Sequence, residues 1–219
     1  MERLSELQDL FWAATGETLY IVFAVLVLGG LGGLLLGILL YVTRGGGIKP
    51  NAPVSLVANI VVNVFRPIPF IIFIAAAQPL ARAVTGTGIG NKPVIFVMAI
   101  AATFGISRIV EQNLLTVDPG VIEAARAMGA SRTRIVFTVL LPEALGPLIL
   151  GYTFALVALV DMSAVAGVVG GGGLGNFAIV YGYRQFDEVV TWAAVLMIIL
   201  IVQLAQFLGN TLARKVMRR

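Results

Sequence analysis

From Thr18 to Thr43 the chain runs 26 residues without a charge, and at about 1.5 Å per residue that exceeds the roughly 30 Å hydrocarbon core of a bilayer. The same pattern predicts further apolar helices over residues 53–80, 93–111, 144–168 and 189–213, the last with 25 uncharged residues. The second of these five is interrupted by Arg66, Pro67 and Pro69, where prolines remove backbone donors and break helical continuity. Gly29, Gly33 and Gly37 recur every fourth residue in the first span, a stripe that lets another helix backbone approach closely. Gln203, Gln206 and Asn210 share one face of the last span; that face is expected to look into the bundle, where amides find partners. Ahead of the first span, Leu4, Leu7, Leu10, Phe11 and Ala14 recur at helical spacing, which predicts a segment lying along the membrane surface with Trp12 at headgroup level. The resulting architecture is all-α, a polytopic membrane protein with five transmembrane helices in one domain over residues 1–219.

Composition agrees and narrows the chemistry. Hydrophobic residues make up 59% and charged residues 12% of the chain, and mean hydropathy is +0.99, whereas soluble domains carry about a quarter charged residues. There is no cysteine and no histidine, so thiol chemistry is unavailable and the commonest general base and metal ligand is missing. Catalytic and metal sites are therefore not expected. The acidic first 17 residues, with Glu2, Glu6, Asp9 and Glu17, lack the basic start of a cleavable signal peptide. Net charge is +4, without the basic and aromatic surface that nucleic acid requires. Lysine and arginine divide unequally between the two sides of a five-span layout. Loop 44–52, segment 108–143 and the tail after Ala213 carry ten, against four at Arg3, Arg82, Lys92 and Arg184. The positive-inside bias thus predicts a cytoplasmic C-terminus and an N-terminus outside.

Between the third and fourth spans lies a polar segment, residues 112–143. Asp118 followed by Pro119 reads as a helix N-cap and first turn. Glu123 sits near the positive end of the helix dipole, and Ala124, Ala125 and Ala127 keep one surface thin enough for close docking. Gly129 permits the reversal that ends this helix, and Ser131 can cap a second one. Pro142, Glu143 and Pro147 mark the passage into the fourth span, a hinge by virtue of missing backbone donors. Arg108 and Glu111, three apart before this segment, can pair on one helix face, a contact worth only tenths of a kcal/mol if exposed.

Glu123-Ala124-Ala125, then Gly129, then Val139-x-Leu141-Pro142 resembles the EAA loop of ABC importer permeases. Arg66-Pro67-Ile68-Pro69-Phe70, LLPEAL and GGGGLGNFAIVYGYRQF extend the resemblance over nearly the whole chain, toward the methionine-type permeases of the type I importer class. The resemblance implies that Glu123, Ala124, Ala125, Gly129 and Pro142 form a cytoplasmic coupling helix held in a cleft of a partner ATPase. It implies a bacterial inner-membrane permease for an amino acid, methionine first, with polar amino acids, phosphonates or osmolytes as alternatives. The implied assembly is two copies of this chain, two ABC ATPase subunits and a periplasmic or lipid-anchored binding protein. The chain needs no cofactor of its own: Gly170, Gly171, Gly172 and Gly173 lack the Lys and Ser or Thr of a phosphate-binding loop, so ATP and Mg fall to the partner.

The same resemblance places Met162 and Val165 where the family narrows its pathway, although the family commonly has an aromatic at the position of Met162 and a glycine at that of Asp161. It puts Gly170 to Gly173, in an outer loop, beside the translocation path. Glycines there suit a path that opens and closes, or else a flexible re-entry loop. Asp161, a carboxylate inside an uncharged span, is costly unless paired or facing water. It can neutralise Arg66, face water, or meet the ammonium of an amino acid in transit; Arg66 can alternatively cap carbonyls freed by the two prolines.

Overall fold

A computed structural model describes residues 5–217 of the chain; Glu2, Arg3 and Leu4, and Arg218 and Arg219, lie outside the described residues. The described residues form helices with no strand. Four of these helices are long and apolar enough to cross a membrane: α1 (Gln8–Thr43), α4 (Asn91–Leu114), α8 (Leu145–Val168) and α10 (Glu188–Met217). A fifth crossing is available if α2 (Ala52–Phe65) and α3 (Phe70–Thr85), a sharply bent pair, count as one span. The bend falls at Arg66–Pro69, as the two prolines require. Shorter elements join them: α5 (Pro119–Ala127), α6 (Arg132–Ile135), a π-turn at Val136–Leu140, α7 (Leu141–Glu143), α9 (Gly173–Phe177), a second π-turn at Ala178–Gly182 and a 3-10 turn at Tyr183–Gln185.

By internal contacts the chain forms two compact units. The first comprises Met1–Gly29, Ile68–Ala102 and Leu156–Ala205, the second Gly30–Pro67, Thr103–Ala155 and Gln206–Arg219. In the first unit, Ala14, Leu174, Phe177, Val190 and Ala194 form a buried cluster with Leu7 and Phe11 packed against it. Phe11 meets Phe177 edge-on at 5.6 Å between centroids, a favoured aromatic geometry. From Gln8 on, the segment expected along the membrane surface runs without a break into α1, after a turn at Leu7. Nothing between Gln8 and Thr18 interrupts the helical backbone, and the apolar face of Leu7, Phe11 and Ala14 is covered by protein. Trp12, on the other side, is exposed.

In the second unit, Leu40, Ala58 and Val62 are buried with Leu36 and Phe104 against them, and Phe65 stacks on Phe104 at 4.9 Å. Lipid tails are as apolar as leucine, so helices in a membrane associate through close packing and hydrogen bonds. The glycine stripe supplies the first: a Cβ at Gly33 would lie 2.6 Å from Ile106 Cβ, and one at Gly37 2.6 Å from the Ser107 carbonyl. Tyr152 supplies the second, its hydroxyl donating to the Gly30 carbonyl at 2.7 Å.

Within the single chain the amides of α10 are not enclosed. Gln203 and Asn210 are exposed and Gln206 is only half-buried. The apolar Leu196, Leu200, Leu204 and Phe207 around them are exposed as well, so helical spacing identified a face without identifying what covers it.

Candidate functional site

The polar segment after α4 folds as two short helices around a glycine corner. Asp118 caps α5, its carboxylate accepting the Gly120 N–H at 2.7 Å, and Pro119 takes the first turn. The end is a Schellman closure: the Gly129 N–H donates to Arg126 O at 2.9 Å and the Ala130 N–H to Ala125 O at 3.1 Å. Gly129 adopts φ +78°, the left-handed region that costs an L-residue about 1–2 kcal/mol, and a Cβ added there would meet nothing within 4 Å. Backbone conformation, not crowding, requires glycine. Ser131 then caps α6 by accepting the Arg134 N–H at 3.3 Å.

Two faces of α5 have different destinations. Ile122 and Ala125 are buried within the chain, while Val121, Glu123, Ala124 and Ala127 are exposed and Met128 is 81% exposed. Ala125 therefore seats the helix on its own chain, where the sequence had placed it with Ala124 on a docking surface. The side chains open to a partner are Val121, Ala124 and Met128, with Glu123 and Ala127 beside them. Arg126 holds α5 from the inner side, donating to the Gly47 carbonyl at 3.2 Å in the loop after α1.

Beyond α6 the helix widens into a π-turn in which the Leu141 N–H reaches Val136 O. Pro142 follows and has no N–H to donate, so the wider turn accommodates the missing bond. Pro142 and Glu143 are exposed and, with Leu145, Gly146, Lys215 and Met217, line a groove of about 700 Å³.

Just before this segment Arg108 forms a network that sequence spacing did not reveal. Its guanidinium pairs with Glu111 and donates to Asn59 Oδ1 at 2.7 Å and Asn63 Oδ1 at 2.8 Å. The two side chains of the ion pair are 14% and 12% exposed, so the pair is largely shielded, and it is shared with α2. The available signal was Asn59 and Asn63, four apart in an apolar run and therefore on one helix face.

The glycine run is held by hydrogen bonds from its own backbone. Gly173, at φ +87°, starts α9, and its N–H donates to the Glu17 carboxylate at 2.8 Å. The Leu174 N–H donates to Thr18 Oγ1 at 2.8 Å and the Gly172 N–H to Asn91 Oδ1 at 3.1 Å. A Cβ at Gly175 would collide with the Ala164 backbone and one at Gly172 with the Glu17 carboxylate. The glycines at 171–175 thus make a pinned corner against α1, α4 and α8. Glu17, Thr18 and Asn91 were missed because Glu17 read as the charged boundary of a span.

Of the pathway candidates, Met162 and Val165 are half-buried on α8 and Asp161 is exposed on the same helix. Arg66 is exposed at the end of α2, its backbone N–H bonded to Val62 O at 3.0 Å. Asp161 belongs to the first compact unit and Arg66 to the second. No group of three or more acidic side chains among the described residues is placed to hold a metal.

Residues 33–218 match the family described as binding-protein-dependent transport system inner membrane component. The probable D-methionine transport system permease protein MetI of Vibrio cholerae is 40% identical over 96% of this chain and 94% of its own length. The methionine import system permease protein MetP of Bacillus subtilis is 39% identical over 95% of this chain and 94% of its own. A solved structure described as an inward-facing conformation of the MetNI methionine ABC transporter superposes with a TM-score of 0.94 at 40% identity, covering 96% of this chain and 98% of that one. An amino acid ABC transporter crystallised with histidines shares the fold, with a TM-score of 0.81 at 19% identity over 97% of both chains. With the match spanning most of its length, this chain belongs to the family of binding-protein-dependent transport system inner membrane components.

Proposed function

We propose that this chain is the membrane permease subunit of an ABC importer for methionine, located in the bacterial inner membrane with its N-terminus outside and its C-terminus in the cytoplasm. The observation that carries the reading is the α5–Gly129–α6 corner, a short capped helix seated on its own chain by Ile122 and Ala125 with Val121, Ala124 and Met128 left uncovered. A small-residue face on a seated helix suits insertion into a cleft of an ATPase. Likeness over nearly the whole chain to MetI and MetP permeases, and to the MetNI transporter, supports methionine as the solute.

In this reading two copies of the chain enclose the path, two cytoplasmic ATPase subunits bind ATP and Mg, and a periplasmic or lipid-anchored binding protein delivers the amino acid. ATPase closure displaces α5. Arg126, through the Gly47 carbonyl, and Arg108, through Asn59 and Asn63, carry that displacement to the loop after α1 and to α2. Pro142 and the π-turn give the segment a joint before α8. Met162 and Val165 narrow the path, and Asp161 supplies an exposed carboxylate on α8 for the ammonium of the solute. The pinned glycine corner at 170–173 gives the outer side a fixed wall.

The test is uptake of radiolabelled methionine into proteoliposomes holding this chain, its ATPase and its binding protein. Uptake that needs ATP supports the reading. An assembled, hydrolysing complex that carries another solute and not methionine removes methionine and leaves the importer class.

A further inference from the structure

On the second unit, the cytoplasm-proximal half of α1 carries, with α6 and the π-turn, an apolar groove of about 280 Å³ to which the transport reading assigns no ligand. Leu35, Leu39 and Val42 line it at helical spacing, together with Phe137 of the π-turn; Leu35 is 69% and Phe137 61% exposed. From Leu35 to Val42 the helix rises about 10 Å. Lys49 and Arg132 also line the groove, and no carboxylate does. The Lys49 N–H donates to Val42 O at 3.0 Å, which folds the loop back over the end of α1 and brings the lysine to the groove. Neither cation has an ion-pair or side-chain hydrogen-bond partner among the described residues. An apolar trough along a membrane-capable helix, with two cations in its lining, has the polarity of a phospholipid: acyl chain along α1, phosphate held by Lys49 and Arg132. Zwitterionic headgroups carry their own cation beside the phosphate, so two protein cations favour a lipid with net negative charge.

We infer that this groove binds one anionic phospholipid of the phosphatidylglycerol type, its phosphate held by Lys49 and Arg132 and one acyl chain lying against Leu35, Leu39 and Val42. Charge complementarity selects this occupant over a second copy of the chain, which would bring its own cations to the same place. The site stands whether or not the transported solute is methionine.

The experiment is native mass spectrometry of the full-length chain in detergent, titrated with phosphatidylglycerol or phosphatidylcholine of identical acyl chains. The wild-type chain retains phosphatidylglycerol preferentially. Lys49→Gln combined with Arg132→Gln weakens that retention roughly tenfold and abolishes the preference, and Val42→Trp, which fills the trough, lowers retention of both lipids. Unchanged elution and helical circular dichroism are required of each variant, with Lys49→Gln alone as the milder substitute if the double variant does not fold. Preference that survives loss of the cations overturns the assignment. So does equal displacement by glycerophosphoglycerol, which points to a site for a free anion, or displacement by the added ATPase, which points to a protein-binding surface.

Discussion

Arg108 donates to Asn59 Oδ1 at 2.7 Å, a bond between helices whose residues are 49 positions apart in sequence. The same guanidinium reaches Asn63, one turn further along α2, and Glu111, one turn along its own helix. A cation in this position, 14% exposed, is satisfied by three acceptors and fixes the register of α2 against α4. Charge-assisted hydrogen bonds of this kind contribute about 1.5–3 kcal/mol.

Arg108→Gln therefore lowers the thermal unfolding midpoint of the detergent-solubilised chain and leaves Glu111 without its partner. Asn63→Ala has a smaller effect, since the exposed Asn63 accepts only one of the guanidinium's bonds. An unchanged midpoint for Arg108→Gln contradicts the role of this network.

Gly129 separates a conformational requirement from a steric one. With φ +78° and open space around its missing Cβ, Gly129→Asn is tolerated because asparagine visits the left-handed region, whereas Gly129→Val is strained by about 1–2 kcal/mol or more. ATP-dependent uptake in proteoliposomes is retained by the first variant and reduced by the second at equal insertion. Equal loss in both contradicts the backbone explanation.

Glu17→Ala removes the carboxylate that accepts the Gly173 N–H. Amide exchange at residues 172–174 accelerates about tenfold, corresponding to a hydrogen bond of roughly 1–1.5 kcal/mol. Gly175→Ala, which forces a Cβ into the Ala164 backbone, lowers the yield of inserted protein instead. If exchange is unaffected by Glu17→Ala, the corner is held by its glycine geometry alone.

Asp161→Asn tests the exposed carboxylate on α8. A hydrated contact with the ammonium of the solute is worth up to about 1 kcal/mol, so uptake falls by up to about fivefold while ATPase assembly is unchanged. Uptake at the wild-type rate removes Asp161 from the path.

How much of this was legible in the sequence follows the range of each interaction. Asp118, Gly129 and Ser131 act within a few residues of themselves, and the caps and the turn stand where their spacing places them. The break at Pro67 and Pro69 is equally local, as is the glycine stripe of α1, whose purpose follows from the absence of side chains. Long-range partners were not legible. Glu17 and Gly173 are 156 positions apart, and nothing in either neighbourhood announces the other. Arg108 pointed only to Glu111, because the Asn59 and Asn63 acceptors become relevant once α2 packs beside α4. The amides of α10 lie uncovered within the single chain for the complementary reason: periodicity identifies a face, and burial depends on what arrives to cover it.

The central claim is that the α5–Gly129 corner is the surface on which an ATPase acts, and the chain's lack of native cysteine makes it directly testable. A single cysteine at Met128, 81% exposed on the corner, is paired with scanned single cysteines on the cognate ATPase and oxidised with and without ATP. The account predicts cross-links to the ATPase from Met128→Cys and none from Phe186→Cys, a control 93% exposed in the other compact unit. Cross-links from Phe186→Cys and not from Met128→Cys would contradict it.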